Sequence, residues 1–186
     1  ERGIRTSLKR VERLMRERGL RSVRARKRRF GLTKAGQSAY FAPNLLQQDF
    51  SATHINEKWV TDTTYIPTRE GWLYLVSVMD LFSRQVVGWA MGKHHDADLA
   101  TSALDMALGR SRPVAGLILH SDRGSEFANQ TFHKRTADAH IRLSMSSTGN
   151  CYDNAAAESF FATIKLEAIP EGIFASRQQA RRALFD

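Results

Sequence analysis

The sequence has almost no cysteine and no long apolar run. Cys151 is the one cysteine among 186 residues, which excludes an internal disulfide framework and any zinc site that needs two thiolates. No segment approaches the roughly 18 consecutive apolar residues of a membrane helix, and the arginine-rich start lacks the apolar stretch of a signal peptide. These absences predict a soluble, cytoplasmic chain with one well-buried domain, a small appendage and no membrane partner.

Acidic residues are scarce at the start of the chain. The first 30 positions hold 13 Lys and Arg but only 3 Glu, whereas the rest of the chain holds 15 basic and 16 acidic residues. A strongly basic segment therefore precedes a nearly neutral body. We interpret this segment as one that binds polyanions, because each phosphate neutralised by Lys or Arg releases condensed counterions. A solubilising tail is the alternative interpretation.

The basic segment contains one predicted helix, over residues 6–20. Thr6 or Ser7 would act as its N-cap and Gly19 as its stop. Its apolar residues share one face and its other face is almost wholly basic, as in the second helix of a helix-turn-helix. The charged residues that follow show little periodicity, so we predict mainly a linker as far as residue 55.

The body of the chain predicts an α/β fold. Alternating β-branched and aromatic residues over 59–66 indicate a first strand, closed by Pro67. Two more strands follow and are expected to form a hairpin. An antiparallel start followed by helix-linked strands implies a mixed five-stranded sheet that carries helices. The later elements are strands over 72–82, 85–92, 116–122 and 141–146, and helices over 96–110, 129–140 and 154–168.

Three acidic residues stand at informative places in these elements. Asp62 lies in the middle of a strand, where aspartate is disfavoured. Asp122 follows a buried strand, at the strand end where open α/β sheets place ligands. Glu158 lies in the first turns of the last helix, whose dipole favours an ionised carboxylate. If the first and fourth strands are neighbours, the three carboxylates can converge and hold two Mg²⁺ ions for phosphodiester chemistry.

Each of these residues also has an ordinary interpretation. A buried Asp62 needs only a cation, hydrogen-bond donors or water; Asp122 suits a turn or cap, and Glu158 suits a solvated helix surface. The last helix places Lys165 on the same side as Glu158, two turns further on. A cation at this position would hold a phosphate near the metals, although an ordinary solvated lysine has the same spacing.

Four stretches of the sequence resemble the retroviral-integrase-like catalytic core of bacterial insertion-sequence transposases, the product of their second reading frame. The interval of 35 residues between Asp122 and Glu158 is typical of the acidic triad of that superfamily. The resemblance covers roughly residues 55 to 170. The stretches are WVTDTTYI, LYLVSVMDLFSRQVVGWAM, LHSDRGSEF and GNCYDNAAAESFFATIKLE.

The resemblance implies a ribonuclease-H-like fold with a defined chemistry. Asp62, Asp122 and Glu158 would be the catalytic residues and would bind two Mg²⁺ ions, with Mn²⁺ as a substitute. Water would cleave a DNA strand, and the freed 3′-hydroxyl would then attack another phosphodiester, which makes the protein a polynucleotidyl transferase without a covalent protein–DNA intermediate. The partners implied are the element ends, target DNA and further copies of the chain assembled on DNA, at the bacterial nucleoid.

The resemblance also implies DNA contacts. Lys165 matches a DNA-contacting lysine of the family, and residues 146–154 correspond to a mobile loop beside the site. The basic start resembles the end of the helix-turn-helix region that recognises the terminal DNA of the element. Within it we predict contacts from a set of basic residues on the predicted helix: Lys9, Arg10, Arg13 and Arg16.

Three regions follow from these predictions. They are a basic helical DNA-binding segment over 1–30, a linker over 31–55 and an integrase-like catalytic core over 56–186. The chain ends inside what the family continues as a helix and a tyrosine-bearing tail, so we expect a core truncated at its C-terminus. Two departures from the family pattern are Glu126, where glutamine is frequent, and NAAAES, which replaces a version with proline and methionine.

Two other functions stay open at this stage. One is a metal-dependent nuclease or resolvase of the same fold, and the other is a DNA-binding protein whose catalytic core has decayed. Among the remaining polar residues we favour turn capping or pairing with Arg84 for Asp80 over metal binding. His120 lies either near the metals or buried in its strand. His94 and His95 give a weak zinc signal, and Cys151 is interpreted as an incidental loop thiol.

Overall fold

A computed structural model describes residues 7–19, 40–147, 151–167, 169 and 173–184, without the side chains of residues 151 and 152. The chain divides into two compact units, with the boundary between Gly31 and Leu32. In the described part of the first unit, helix α1 (Leu8–Glu17) begins at the N-cap Ser7, whose side chain accepts a hydrogen bond from the Arg10 N–H. Gly19 follows the helix with φ of 64°, which confirms both predicted ends.

The second unit is built on a five-stranded sheet. Its order is β3-β2-β1-β4-β5, with antiparallel pairs among the first three strands and parallel pairs from β1 to β4 and β4 to β5. The predicted mixed sheet and the hairpin of the second and third strands are therefore confirmed. The strands are β1 (Lys58–Thr68), β2 (Gly71–Asp80), β3 (Val86–Gly92), β4 (Ile118–Ser121) and β5 (Arg142–Met145).

Helices cover both faces of this sheet because successive strand residues point to opposite sides. On one face, Trp59 and Val76 pack with the helices that follow β3 and β4. On the other face, Ile66 and Leu75 pack with Phe161 of the helix that follows β5. The helices are α2 (Ala97–Ser111), α3 (Gln130–Asp138), α4 (Ala155–Glu167) and α5 (Arg177–Ala183), and a 3₁₀ turn (Cys151–Asn154) leads into α4.

The first strand is longer than predicted. We expected Pro67 to close it, but β1 runs through Pro67 to Thr68. Strand β4 pairs only with Lys58, Trp59 and Val60. Among the described residues, Pro67 has no strand partner on that side, and the next residue, Thr68, forms an isolated parallel bridge with Phe174. Proline is tolerated at such an edge because no ladder hydrogen bond is lost there.

The residues before β1 pack on the sheet although they were predicted to be mainly linker. Leu46 is 2% exposed and lies in a cluster with Val60 and Met79. The Leu45 N–H donates to Ser144 Oγ over 2.8 Å. One buried leucine among polar residues gives no periodic signal, so the sequence did not predict this packing.

Throughout the described residues, every helix is too short or too polar to cross a bilayer.

Candidate active site

Asp62 lies in the middle of β1, opposite Ser77 of β2. Its Oδ1 accepts a hydrogen bond of 2.7 Å from the N–H of Thr63. Burial holds the pKa of Asp62 well above its usual range, and the nearby carboxylates of Asp122, Glu126 and Glu158 raise it further. The side chain therefore lies in a group of negative charges, and the Thr63 N–H acts against the shift.

Asp122 follows the end of β4, next to Asp62. The parallel register pairs Val60 with His120, so the residues two positions further along each strand meet at the same place on the sheet. The N–H of Gly124 donates to Asp122 Oδ1 over 2.8 Å. Burial and then the charge of Glu126 raise the pKa of Asp122 to about 6.

Glu158 reaches the same group from the first turn of α4. It is half-buried, and its charge contributes to the raised pKa values of Asp62 and Asp122. The start of α4 is fixed by Asp153, whose carboxylate accepts hydrogen bonds from Asn44 Nδ2 (3.0 Å), Gln48 Nε2 (3.1 Å) and Ser147 N–H (2.8 Å). The structure thus brings Asp62, Asp122 and Glu158 within electrostatic reach of one another, as the neighbouring first and fourth strands predicted.

These side chains suit a hard divalent cation. They offer only carboxylate oxygens, the ligands that Mg²⁺ prefers. Burial and neighbouring negative charges raise the pKa values of Asp62 and Asp122, and a cation would relieve that repulsion. In the present arrangement, no three His, Cys, Asp or Glu side chains of the described residues already form a set that holds a metal ion. The three carboxylates lie near one another, and their side chains would have to adjust to coordinate a bound ion.

Lys165 lies near this group on α4. Its Nζ is 5.0 Å from the centroid of the Tyr65 ring, a cation–π contact. Partial desolvation lowers the pKa of Lys165, and the negative charge of Asp62 opposes that shift. An exposed cation thus stands beside the acidic side chains.

Glu126 belongs to the same group, although the sequence predicted no role for it. Its side chain is 3% exposed, and its Oε1 accepts hydrogen bonds from Thr63 Oγ1 (2.8 Å) and from His95 Nε2 (2.6 Å). The Glu126 hydrogen bond raises the pKa of His95 despite partial burial. The signal in the sequence was the glutamate four residues after Asp122, but its partner His95 lies in a distant loop.

The remaining predicted candidates have structural roles. Asp80 caps a turn, as we favoured: its Oδ1 accepts from the N–H of Ser83 over 2.7 Å, and its Oδ2 accepts from the N–H of Asn56 over 2.7 Å. Arg84 contacts Asp80 through a backbone hydrogen bond.

His120 is fully buried between the hydroxyls of Ser144 (2.8 Å) and Ser146 (3.2 Å), and burial lowers its pKa to about 4. Of the two predicted alternatives, a histidine near the metals or a buried strand residue, the structure shows the buried strand residue.

Some predicted positions lie elsewhere or outside the described residues. The basic set Lys9, Arg10, Arg13 and Arg16 is exposed on α1 in the first unit. Thr6, the side chain of Cys151 and residues 148–150 of the predicted mobile loop lie outside the described residues.

Sequence comparison identifies the family of the chain. The family model of the integrase core domain matches residues 52–151, more than half of the chain. An uncharacterized 31 kDa protein of insertion element IS600 from Shigella sonnei is 42% identical over 180 residues, which are 97% of this chain and 66% of that protein. The transposase InsF for insertion sequence IS3A of Escherichia coli K12 is 41% identical over 183 residues, 97% of this chain and 62% of InsF. The chain thus spans about two thirds of the length of these relatives.

Structural comparison gives the same fold. A chain in the cryo-EM structure of a simian T-cell lymphotropic virus intasome, in complex with a PP2A regulatory subunit, superposes with a TM-score of 0.61 at 18% identity, over 81% of this chain and 54% of that one. The HTLV-2 integrase catalytic core domain in complex with magnesium superposes with a TM-score of 0.55 at 20% identity, over 72% of this chain and 87% of that one. The ribonuclease-H-like fold is thereby confirmed.

The chain belongs to the integrase core domain family. Over nearly its whole length its sequence is similar to an insertion-element protein and to the transposase InsF of an insertion sequence, which confirms the resemblance predicted from the four stretches.

Proposed function

We propose that the chain carries the catalytic core of a DNA transposase of the Asp-Asp-Glu type. The observation that carries the proposal is the convergence of Asp62, Asp122 and Glu158 in an integrase-family fold, where burial and mutual repulsion raise the pKa values of the two aspartates. Three elements that are far apart in the sequence supply these side chains. A structural role alone would not require three carboxylates within electrostatic reach of one another.

The three carboxylates would bind two Mg²⁺ ions, with Mn²⁺ as a substitute. When bound, two divalent ions activate an attacking oxygen and stabilise a leaving oxygen at phosphorus. Support comes from the oxygen-only ligand set and from the related HTLV-2 integrase core, whose structure is described as a complex with magnesium. The chain itself sets the ligand positions, through the N–H groups of Thr63 on Asp62 and Gly124 on Asp122.

The substrate we propose is DNA at the ends of an insertion sequence and at its target. Water would first cleave a strand, and the freed 3′-hydroxyl would then attack a target phosphodiester. Lys165 would hold a phosphate beside the carboxylates, because it is an exposed cation within electrostatic reach of Asp62. The basic residues of α1, namely Lys9, Arg10, Arg13 and Arg16, would bind the terminal DNA. Residues 31–55 would connect them to a core over 56–186, and the described part of that connection packs on the sheet through Leu46.

Assembly on DNA is part of this proposal. Two element ends must be held together during transposition, so we expect dimers or larger assemblies of the chain on DNA. The related structures support this expectation, since one is an intasome and the HTLV-2 core is described in dimeric and trimeric forms. Acting on chromosomal DNA, the protein would work at the nucleoid.

The decisive variant is Glu158→Gln, which keeps the shape of the side chain and removes its charge. We expect Mg²⁺-dependent strand transfer to fall by about 10³-fold or more, since removal of one metal carboxylate leaves the ions misplaced. The circular dichroism spectrum and melting temperature should stay unchanged. Full strand transfer by this variant would contradict the proposal.

Product analysis separates the proposed function from its nearest alternative. On labelled DNA carrying the element ends, a transposase produces joined strands. A nuclease or resolvase of the same fold would release free ends without strand transfer into a target. A decayed DNA-binding protein would produce neither, and would bind no Mg²⁺ or Mn²⁺ at the three carboxylates.

A further inference from the structure

Glu126 connects the two segments that hold Asp62 and Asp122. Its Oε1 accepts a hydrogen bond from Thr63 Oγ1, and the backbone N–H of the same Thr63 donates to Asp62. On the other side, a Cβ on Gly124 would lie only 2.5 Å from Glu126 Oε2, and the Gly124 N–H donates to Asp122. The buried carboxylate of Glu126 is thus packed between the residues that fix the two aspartates.

One oxygen of this carboxylate has no partner. Among the described residues, no donor reaches Glu126 Oε2, which is fully buried. A buried carboxylate oxygen without a donor is costly, and a glutamine of the same shape would remove the charge while keeping the acceptor for Thr63. Packing alone therefore gives no reason for a charged residue at this position.

His95 supplies the compensating charge. Its Nε2 lies 2.6 Å from Glu126 Oε1, and its ring stacks on Tyr74 with centroids 5.3 Å apart. The side chain of His95 is 38% exposed, so it can leave or change its charge without opening the core. With His95 protonated, one of the four negative charges of the group is neutralised before any cation binds.

From this arrangement we propose that Glu126 contributes a fourth negative charge that strengthens divalent-cation binding at the site, and that His95 partly offsets this charge while the cation is absent. The inference rests on the proposed function, since the cations are those held by Asp62, Asp122 and Glu158. Four carboxylates carry the charge that two divalent ions balance. Glu126 acts through its charge on the neighbouring ligands, so it is a positioning and electrostatic residue.

Two substitutions should shift the cation affinity in opposite directions. Glu126→Gln removes the negative charge and should weaken Mn²⁺ binding by about tenfold or more. His95→Gln keeps a donor for Glu126 and removes the positive charge, so it should strengthen Mn²⁺ binding by roughly two- to tenfold. A role in positioning alone predicts weaker binding for both variants.

The measurement is titration of the DNA-free chain with Mn²⁺, with free Mn²⁺ followed by electron paramagnetic resonance at a pH that keeps His95 protonated. Unchanged affinity in Glu126→Gln, or weaker binding in both variants, would overturn the inference. If Glu126→Gln does not fold, the variant His95→Gln at an exposed position is sufficient to test the inference. A Mn²⁺ affinity of this variant equal to or below that of the unsubstituted chain would contradict the inference.

A third variant separates this inference from the proposed function. Asp62→Asn should abolish Mn²⁺ binding at the site. If Asp62→Asn binds Mn²⁺ as tightly as the unsubstituted chain, the proposed metal site itself is wrong. If only Glu126→Gln is without effect, the metal site stands and the fourth charge does not contribute.

Discussion

Two aspartates on neighbouring strands, Asp80 and Asp62, have carboxylates with very different surroundings. Asp80 at the end of β2 is 1% exposed, and its carboxylate accepts hydrogen bonds from the Asn56 N–H, the Ser83 N–H and the Ser83 hydroxyl. Asp62 on β1 accepts one from Thr63 and otherwise faces other carboxylates. The protein satisfies the first carboxylate with hydrogen bonds. The second lies among like charges with Lys165 as a nearby cation, and a bound divalent ion would add further positive charge to this group.

The comparison teaches how to separate structure from function in a sheet rich in acids. A satisfied carboxylate stabilises its turn, and its loss should lower the free energy of unfolding. An unsatisfied carboxylate among like charges destabilises the cation-free protein, and its loss should affect chemistry.

The largest effect is expected for Asp62→Asn. Strand transfer should fall by about 10³-fold or more, because a carboxylate ligand is lost. The melting temperature of the metal-free chain should stay the same or rise, since the amide removes repulsion with Asp122 and Glu126. Thermal denaturation and a strand-transfer assay on the same preparation check both parts. A clear fall in the melting temperature would make Asp62 a structural residue like Asp80.

The next effect is expected for Asp80→Ala. The N–H groups of Asn56 and Ser83 would lose their acceptor, which should lower the free energy of unfolding by about 2–4 kcal/mol. Urea denaturation measures this loss. Mn²⁺ affinity of the folded fraction should equal that of the unsubstituted chain, and a changed affinity would contradict the division between the two aspartates.

The smallest effect is a pH dependence from Asp122. Its pKa is raised from 3.8 to about 6 in the folded chain, so the folded state holds this proton more tightly than the unfolded state does. The metal-free chain should therefore lose up to about 3 kcal/mol of stability from this residue as the pH rises through that window. Asp122→Asn should remove this slope.

The difference between the two proteins, measured by urea denaturation at several pH values without divalent ions, gives the contribution of Asp122 together with its effect on Asp62, whose pKa the Asp122 charge raises. This control matters because buried His120 acts in the opposite direction. Its pKa of about 4 in the folded state means that stability is lost as the pH falls below 6.5. Equal pH profiles of the two proteins would contradict the raised pKa of Asp122.

Much of the fold was predictable from residue patterns. Alternating β-branched residues located β1, and a continuous apolar run located β4, because a strand covered on both faces has no polar side. The disfavoured Asp62 within β1 and the strand-end position of Asp122 located two of the three carboxylates. The interval to Glu158 became informative only beside the resemblance, since helical glutamates are usually solvated.

The missed features all depend on contacts between distant residues. The Glu126–His95 pair joins the loop after β4 to the loop before α2, and the local signal at each residue did not show that the two are partners. Leu46 is buried by Val60 and Met79, which lie on strands. The extension of β1 through Pro67 depends on how far β4 reaches, a property of the sheet and not of the residues around the proline.

The segment between Asp122 and Glu158 contains α3, β5 and the 3₁₀ turn. A chain that leaves the end of one parallel strand can return to the same edge only after crossing the sheet by a helix and running along a second strand. The number of residues between the two acids is therefore the number that one crossover connection needs, namely a helix and a parallel strand. A deletion within α3 or β5 would shorten this path, whereas added residues in the exposed turn before β4 would leave it unchanged.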